Sequence, residues 1–442
     1  MSDASRERRK ARVARVREWL RGQGRPPGPF RPEFWRSPLR GPWLTSVFGL
    51  VLLVGLPIVA ITGLVSYAAY DPGLPGNDIT PDKGLLGFYL FDWPTNPLWL
   101  YRVTQGVHVT LGLTLVPILL AKLWSVIPKL FVWPPARSPA QLLERASLLL
   151  LVGGAVFEFV TGILNIQLFY VFPFSFYPAH LYGAWIFLVA LVVHIALKLP
   201  RLVTALRSRG FRREMRTSLR DTRPEPPDPD GLVAAAPAPP SLSRRGLLAF
   251  VGGGSLTVFG LSVGQTMDGP IRSTALLAPH GRDHGPGPND FPVNKTAASV
   301  GVVTAQTGPD WRLTLVGARL VRLSRQDLLS LPLHTYRLPI ACVEGWSTEQ
   351  AWTGVRLTDL ARLCGAPGDV GVHVRSLQQG GVFSHVSLSA GQAADPRSLL
   401  ALRVNGADLS LDHGFPARIM VPNAPGVHNT KWVRELDFRT PS

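Results

Sequence analysis

The sequence predicts a membrane-embedded all-α unit, a four-helix bundle with a fifth anchoring helix behind it, followed by a mixed α/β domain outside the membrane. Three observations carry this. First, only 17% of the 442 residues are charged while 46% are hydrophobic, against about 25% charged in soluble domains. Second, the apolar residues cluster in runs at 43–70, 103–121, 146–171, 176–197 and 246–267, each long enough to cross about 30 Å of hydrocarbon as a helix. Third, no such run follows Met267, and the chain turns there to short alternating segments with turn signals.

The first run begins too late and is too long for a secretory signal. The net charge of +17 fixes the expected orientation. Residues 1–40 carry +8, residues 122–145 carry +3 and residues 198–245 carry +6, whereas 68–102 carry −2. Basic segments on alternate loops follow the positive-inside rule, which places the N-terminus in the cytoplasm and residues 268–442 outside. A nucleic-acid partner would require that charge on one folded module. It lies on membrane flanks instead, so the lipid bilayer is the expected partner and nucleic acid is excluded. Arg outnumbers Lys 39 to 7, which we read as GC-rich bacterial codon usage and hence a multi-pass protein of a bacterial cell membrane.

The expected organisation is a basic arm over 1–40, the four-helix unit over 41–200 and a Pro/Ala-rich cytoplasmic linker over 201–243. The fifth helix follows over 244–267, then an outer domain over 270–442 long enough to hold its own core. Strands are expected over 311–316, 370–376 and 418–421. The fifth helix opens with Ser243-Arg244-Arg245-Gly246-Leu247-Leu248, which resembles a twin-arginine export signal. Two flanking arginines obeying the inside rule are the plainer reading.

Three of the ten histidines fall in the membrane unit: His108, His180 and His194. Imidazole can ligate haem iron axially from facing helices of a bundle. His180 and His194 are 14 residues apart, nearly four full turns, so they share a helix face about 21 Å apart. The alternatives are hydrogen-bonded core histidines or quinone contacts. Glu158, mid-helix, is costly in a membrane and functional by default, with a polar partner expected inside the bundle.

This unit resembles the four-helix cytochrome b subunits of respiratory formate dehydrogenases and hydrogenases. There a first-helix His pairs with the inner His of helix four, and the helix-two His pairs with the outer one. The first helix here has no His. The resemblance therefore implies one b-type haem on His108 and His180, with His194 a further candidate ligand for a second, and electron exchange with the quinone pool or another respiratory donor or acceptor.

In the outer domain two strings stand out. One is Cys342-Val343-Glu344-Gly345-Trp346-Ser347, followed by Trp352-Thr353-Gly354-Val355-Arg356-Leu357. The other runs from Asp412-His413-Gly414-Phe415-Pro416-Ala417-Arg418 to Gly426-Val427-His428-Asn429-Thr430-Lys431-Trp432. Together they resemble the sulfite oxidase family of molybdopterin enzymes, and more closely its periplasmic methionine sulfoxide reductase-like branch, over about 290–440. The resemblance implies a sulfite oxidase-type α/β domain holding Mo-molybdopterin, with Cys342 as the molybdenum ligand, a role suited to a soft thiolate. It further implies cofactor contacts from Asn289, Ser376, His413, Arg418, Gly426, Val427, His428 and Lys431, since a phosphate-ended pterin needs Arg, Lys and N–H donors.

A disulfide between Cys342 and Cys364, the only two cysteines, is the rival reading of Cys342. Glu344-Gly345-Trp346 stands where sulfite oxidases place a basic sulfite pocket, and Val382-Phe383-Ser384-His385 offers no counterpart of their substrate-side Tyr. The expected substrate is therefore a small molecule or an oxidised side chain other than sulfite. Glu344, as proton carrier, and Trp346, as pocket wall, join Cys342 as candidate catalytic residues. The alternative is a non-catalytic membrane scaffold or electron-transfer protein whose outer domain has lost its metal.

Overall fold

A computed structural model describes residues 26–77, 91–133, 138–228, 231–283, 285–379 and 384–439. Most of the basic arm, and Val382 and Phe383, lie outside these residues. Four long helices come first: α1 Pro42–Ala68, α2 Leu100–Val126, α3 Pro139–Ile166 and α4 Phe176–Ser208. A short α5, Phe211–Arg216, precedes α6, Arg244–Gly260. Five helical spans are long and apolar enough to cross a membrane: Pro42–Ala68, Leu100–Phe131, Gln141–Ile166, Phe176–Ser208 and Arg244–Thr266. They coincide with the five apolar runs. Their outward side chains, such as Val54, Ile61, Leu149, Val189 and Phe250, are exposed, as a lipid-facing surface requires. The second span runs past Lys122, where the apolar run ends. There the ammonium group donates to the Thr45 carbonyl (2.8 Å), so the charge is accommodated without ending the helix.

The chain divides into two compact units whose borders cut across the helices. The first comprises Met1–Leu56, Thr114–Val160 and Tyr182–Leu256, and the second comprises Pro57–Leu113, Thr161–Leu181 and Thr257–Ser442. The linker region belongs to the first unit: α4 runs into it as far as Ser208 and α5 follows, so the expected boundary at 200 is too early, and its described residues from 217 to 243 are irregular but anchored. Buried Glu225 accepts hydrogen bonds from Trp43 N (2.8 Å) and Leu44 N (3.3 Å), satisfying orphan donors in the first turn of α1. A Cβ at Gly41 would collide with that carboxylate. Arg244, first of the Arg-Arg pair, is buried against Glu214 (3.4 Å) and the Pro38 carbonyl (3.3 Å), while Arg245 is exposed.

Among its described residues the second unit holds ten strands: β1 Arg312–Val316, β2 Leu320–Ser324, β3 His334–Ala341, β4 Ser347–Arg356, β5 Val372–Ser376, β6 His385–Leu388, β7 Leu399–Val404, β8 Ala407–Asp408, β9 Arg418–Met420 and β10 Val433–Asp437. Helices α7 Arg325–Ser330, α8 Leu357–Leu363 and α9 Ala390–Ala394 are interspersed. One sheet has the order β2-β1-β10-β5-β6, with β1 and β10 parallel and its other pairs antiparallel. The other has the order β3-β4-β7-β8, with β9 also paired to β7. Strand alternation sends successive side chains to opposite faces. On β7, Leu400 and Leu402 enter the main core with Leu313, Val374 and Leu436, whereas Leu399 and Ala401 enter a second core with Trp352 and Cys342. Cys364 closes α8 inside the main core.

Replacing Glu225 by Ala leaves two buried N–H groups unpaired, at a cost of about 1–3 kcal/mol. We expect a lower melting temperature in detergent and faster protease cleavage within 217–243; an unchanged melting curve would rule out this role of the linker.

Candidate functional site

The short loop 342–346 joins β3 to β4. Cys342 N donates to Trp346 O (2.8 Å) and Gly345 N to Cys342 O (3.0 Å), closing a tight turn. Gly345 has φ +94°, and a Cβ there would lie 2.8 Å from Val109 Cβ. Only glycine serves both needs. The turn rests on the N-terminal part of α2: Gln105 donates to Val343 O (2.5 Å) and Thr266 to Gly345 O (2.8 Å). Asn423, itself at φ +59°, accepts from Tyr101 N (2.9 Å) in the first turn of α2, donates to Pro94 O (2.7 Å) and receives Trp93 Nε1 on its carbonyl (2.7 Å). A side chain of the strand-rich domain thus caps a membrane helix.

Cys342 is buried, with Sγ 3.4 Å from Glu344 Oε1. Burial, then the neighbouring carboxylate, holds the thiol well above its ordinary range, and burial pushes Glu344 up to about 7. Trp346 is buried in the same apolar cluster. Both cysteines are free thiols, so the disulfide alternative is set aside.

The second string folds back against the first. Gly426 N donates to Ala341 O (2.7 Å), and a Cβ on Gly426 would stand 2.9 Å from that oxygen. Val427 lies half-buried on the same turn. Arg418 is fully buried and donates to the His413 and Asn429 carbonyls (3.1 and 3.0 Å), with its guanidinium over the Trp352 ring. Lys431 donates to the Lys295 and Asp412 carbonyls (2.7 and 2.8 Å), and Ser376 Oγ donates to the Lys431 carbonyl (2.7 Å). Gly414, at φ +106°, lies against both cations: a Cβ there would be 3.0 Å from Lys431 Cβ and 3.1 Å from Arg418 Cβ. His413 stacks on Phe291 (3.7 Å between centroids), its Nε2 2.9 Å from Asn289 O. The Asn289 side chain is occupied elsewhere, bonding Asp408 O and Ser410 N (3.0 and 2.8 Å). It braces the loop rather than pointing a free amide inward.

Burial lowers Arg418 to about 9, His413 to about 3 and His428 to about 4, and holds Lys431 well below its ordinary value. Arg418 and Lys431 direct their hydrogen bonds to backbone carbonyls, so the pocket is electrostatically prepared for an anion.

Comparison with known proteins shows what the domain is similar to. Residues 300–441 match the oxidoreductase molybdopterin binding domain. The uncharacterized oxidoreductase YuiH of Bacillus subtilis is 30% identical over 131 residues, covering 29% of this chain and 65% of that protein. Mouse mitochondrial sulfite oxidase is 29% identical over 159 residues, covering 29% of each chain. The NADH nitrate reductase of Ulva prolifera is 27% identical over 165 residues, covering 28% of this chain and 18% of that protein. The chain spans less than two thirds of the length of these relatives.

The residues present fit a molybdopterin cofactor on an observation of their own. Among the described residues, Arg418 Nε, His428 Nδ1, Asn429 Nδ2 and Thr430 Oγ1 are buried polar atoms without a hydrogen-bond partner. All four belong to the second string, beside the turn carrying Cys342. Such orphans are costly, and a ligand rich in phosphate oxygens and pterin nitrogens would satisfy them. Asn429 and Thr430 stand within that string, yet the family resemblance did not single them out. Gln105 and Asn423 carried no signal in the sequence, because each acts on a segment more than 230 residues away.

In the second unit His108 and His180 come together, with ring centroids 6.3 Å apart and planes at 85°. His108 Nδ1 lies 2.9 Å from Val59 O and His180 Nδ1 lies 3.3 Å from Thr161 Oγ1. Gly63 faces the first ring, where a Cβ would lie 2.7 Å from Cε1. In the first unit, His194 lines an apolar cavity of about 910 Å³ together with Lys122 and Lys198. Glu158 is buried, its Oε1 packed where a Cβ on Gly183 would collide.

Two outcomes are expected. Gly345→Ala forces an alanine to positive φ against Val109, and should cost about 1–3 kcal/mol of stability. Val109→Ala should recover part of that loss, as read by thermal melting of the single and double variants. Separately, His413 titrates near 6.5 when unfolded but near 3 when folded, so the unfolded state binds more protons between these values. Stability should fall as pH drops through that window. His413→Gln should flatten this slope in a pH series of melting temperatures.

Proposed function

We propose that this chain is a membrane-anchored molybdenum-dependent oxidoreductase of the sulfite oxidase type. Oxygen-atom transfer on a small molecule or oxidised side chain takes place at a Cys342-ligated Mo-molybdopterin centre. Electrons pass through one b-type haem to or from the quinone pool. The observation that carries the molybdenum half is the set of buried, unsatisfied polar atoms on Arg418, His428, Asn429 and Thr430 beside the Cys342 turn. A scaffold that had lost its cofactor would carry them for nothing.

The bound cofactor supplies the two-electron oxygen-atom exchange. The chain supplies its setting. Cys342 offers a thiol, which must lose its proton to bind metal, and Glu344 Oε1, 3.4 Å away, is placed to accept it. Arg418, Lys431, His413 and His428 hold the anionic end of the pterin, with the Ser376 hydroxyl fixing the Lys431 backbone. Trp346 walls the pocket and excludes water. The Glu344-Gly345-Trp346 sequence lacks the cations an inorganic anion would need, which favours an uncharged oxide over sulfite.

The haem half rests on the paired membrane histidines. His108 and His180, whose ring centres lie 6.3 Å apart, would hold the haem, which would supply one-electron chemistry. With each Nδ1 near an oxygen partner, Nε2 is the atom that would reach the iron, the usual arrangement around a ligating histidine. His194 faces no second histidine among the described residues of its cavity, which favours one haem over two. The same cavity is apolar enough for the ring and tail of a quinone.

The test is metal content of the full-length protein purified in detergent from a host that makes the pterin. About one Mo and one Fe per chain are expected. Cys342→Ser should lose the molybdenum and the oxygen-transfer activity. His108→Ala and His180→Ala should each lose the reduced-minus-oxidised haem spectrum while retaining molybdenum. A protein holding neither metal would sink the proposal.

A further inference from the structure

Between the molybdopterin-binding pocket and the paired membrane histidines lies a continuous file of aromatic rings, contributed by the outer ends of the membrane helices. His428, on the second string, meets Tyr70 edge to face at 5.9 Å between centroids. Tyr70 meets Tyr177 at 5.5 Å, Tyr177 meets Phe176 at 5.6 Å, and Phe176 stacks on His180 at 4.9 Å. His180 then faces His108. Tyr70 lies just beyond the end of α1, and Phe176 and Tyr177 open α4.

The file is held rigidly. The Tyr70 hydroxyl lies 2.9 Å from that of Tyr177 and 3.4 Å from that of Tyr101. Tyr101 is fixed in turn by the Asn423 cap. Tyr70 and Tyr101 are buried. Burial, the largest effect on Tyr70, raises it to about 12, so its phenol stays protonated across the working pH range. Tyrosine is common at membrane helix ends, where its hydroxyl reaches the headgroups, but Tyr70 and Tyr101 are buried and turn theirs toward one another. Aliphatic side chains would fill the same space, without three phenols to pair inside it.

We infer that Tyr70, Tyr177 and Phe176 form the electron route between the molybdenum centre and the haem, with the aromatic rings as the coupling medium. This rests on the proposed function above. Each passage moves one electron: the donor metal loses one, the acceptor gains one, and no atom or proton crosses. Two passages balance one oxygen-atom transfer, with the quinone pool as the external donor or acceptor. In this role the three residues are positioning residues, since they touch neither the reacting oxygen nor the substrate.

The experiment uses the full-length protein with both groups bound, in lipid nanodiscs. A flash-generated deazaflavin radical reduces the haem, and the approach to equilibrium with molybdenum is followed at the haem absorption band. Tyr70→Leu and Phe176→Met should each slow this intraprotein step by about tenfold or more, the scale on which groups around a metal site act. Tyr70→Phe, which keeps the ring and loses the hydroxyl, should stay within about twofold of the parent. Mo and Fe content, the haem spectrum and the haem potential should be unchanged in all three, and Phe176→Met provides a reading away from the pterin pocket should Tyr70→Leu misfold. Parent-like rates in Tyr70→Leu and Phe176→Met would overturn the route. Equal slowing in Tyr70→Phe and Tyr70→Leu would overturn it in favour of transfer coupled to a proton on the hydroxyl. A parent protein lacking Mo or Fe would instead overturn the proposed function itself, and that outcome is read before any flash is fired.

Discussion

The contact on which the site depends is the seating of the 342–346 turn on the N-terminal part of α2. Gln105 holds the Val343 carbonyl, Val109 packs into the space that Gly345 leaves open, and Thr266 holds the Gly345 carbonyl. The same helix end is capped by Asn423. His108 lies one residue before Val109, so the segment that positions the candidate molybdenum ligand also carries a candidate haem ligand. Moving either would move the other. This is the physical content of having both modules in one chain: the distance between them is set by packing rather than by diffusion.

The electrostatics of the outer pocket follow from burial. Arg418 and Lys431 are taken out of water and given backbone carbonyls in place of carboxylates. Burying unpaired charge is expensive, and folded proteins retain such an arrangement when a ligand supplies the missing countercharge. Glu344 sits beside the thiol, where it can take up a proton.

The membrane half treats its polar groups in the same way. Lys122 donates to a helix carbonyl, Glu225 caps α1 from a segment of irregular structure, and Arg244 is neutralised by Glu214. Each of these charges near the apolar region has a partner, as the cost of isolated charge in hydrocarbon demands.

The sequence by itself determined the five apolar spans and the alternation of basic loops, which are properties of local composition that length and charge suffice to read. The two strings of the C-terminal domain, and the pairing of His108 with His180 among the three candidate histidines, came from family resemblance instead. Only the tertiary structure decided that Cys342 and Cys364 lie apart, with Cys364 absorbed by the core, and that Asn289 braces a loop. Only it brought Gln105, Asn423 and the three tyrosines to the site. These residues are separated from the groups they serve by up to about three hundred positions, and a glutamine or tyrosine near a helix end has many uses. Their roles arise from long-range packing, which a one-dimensional pattern does not encode.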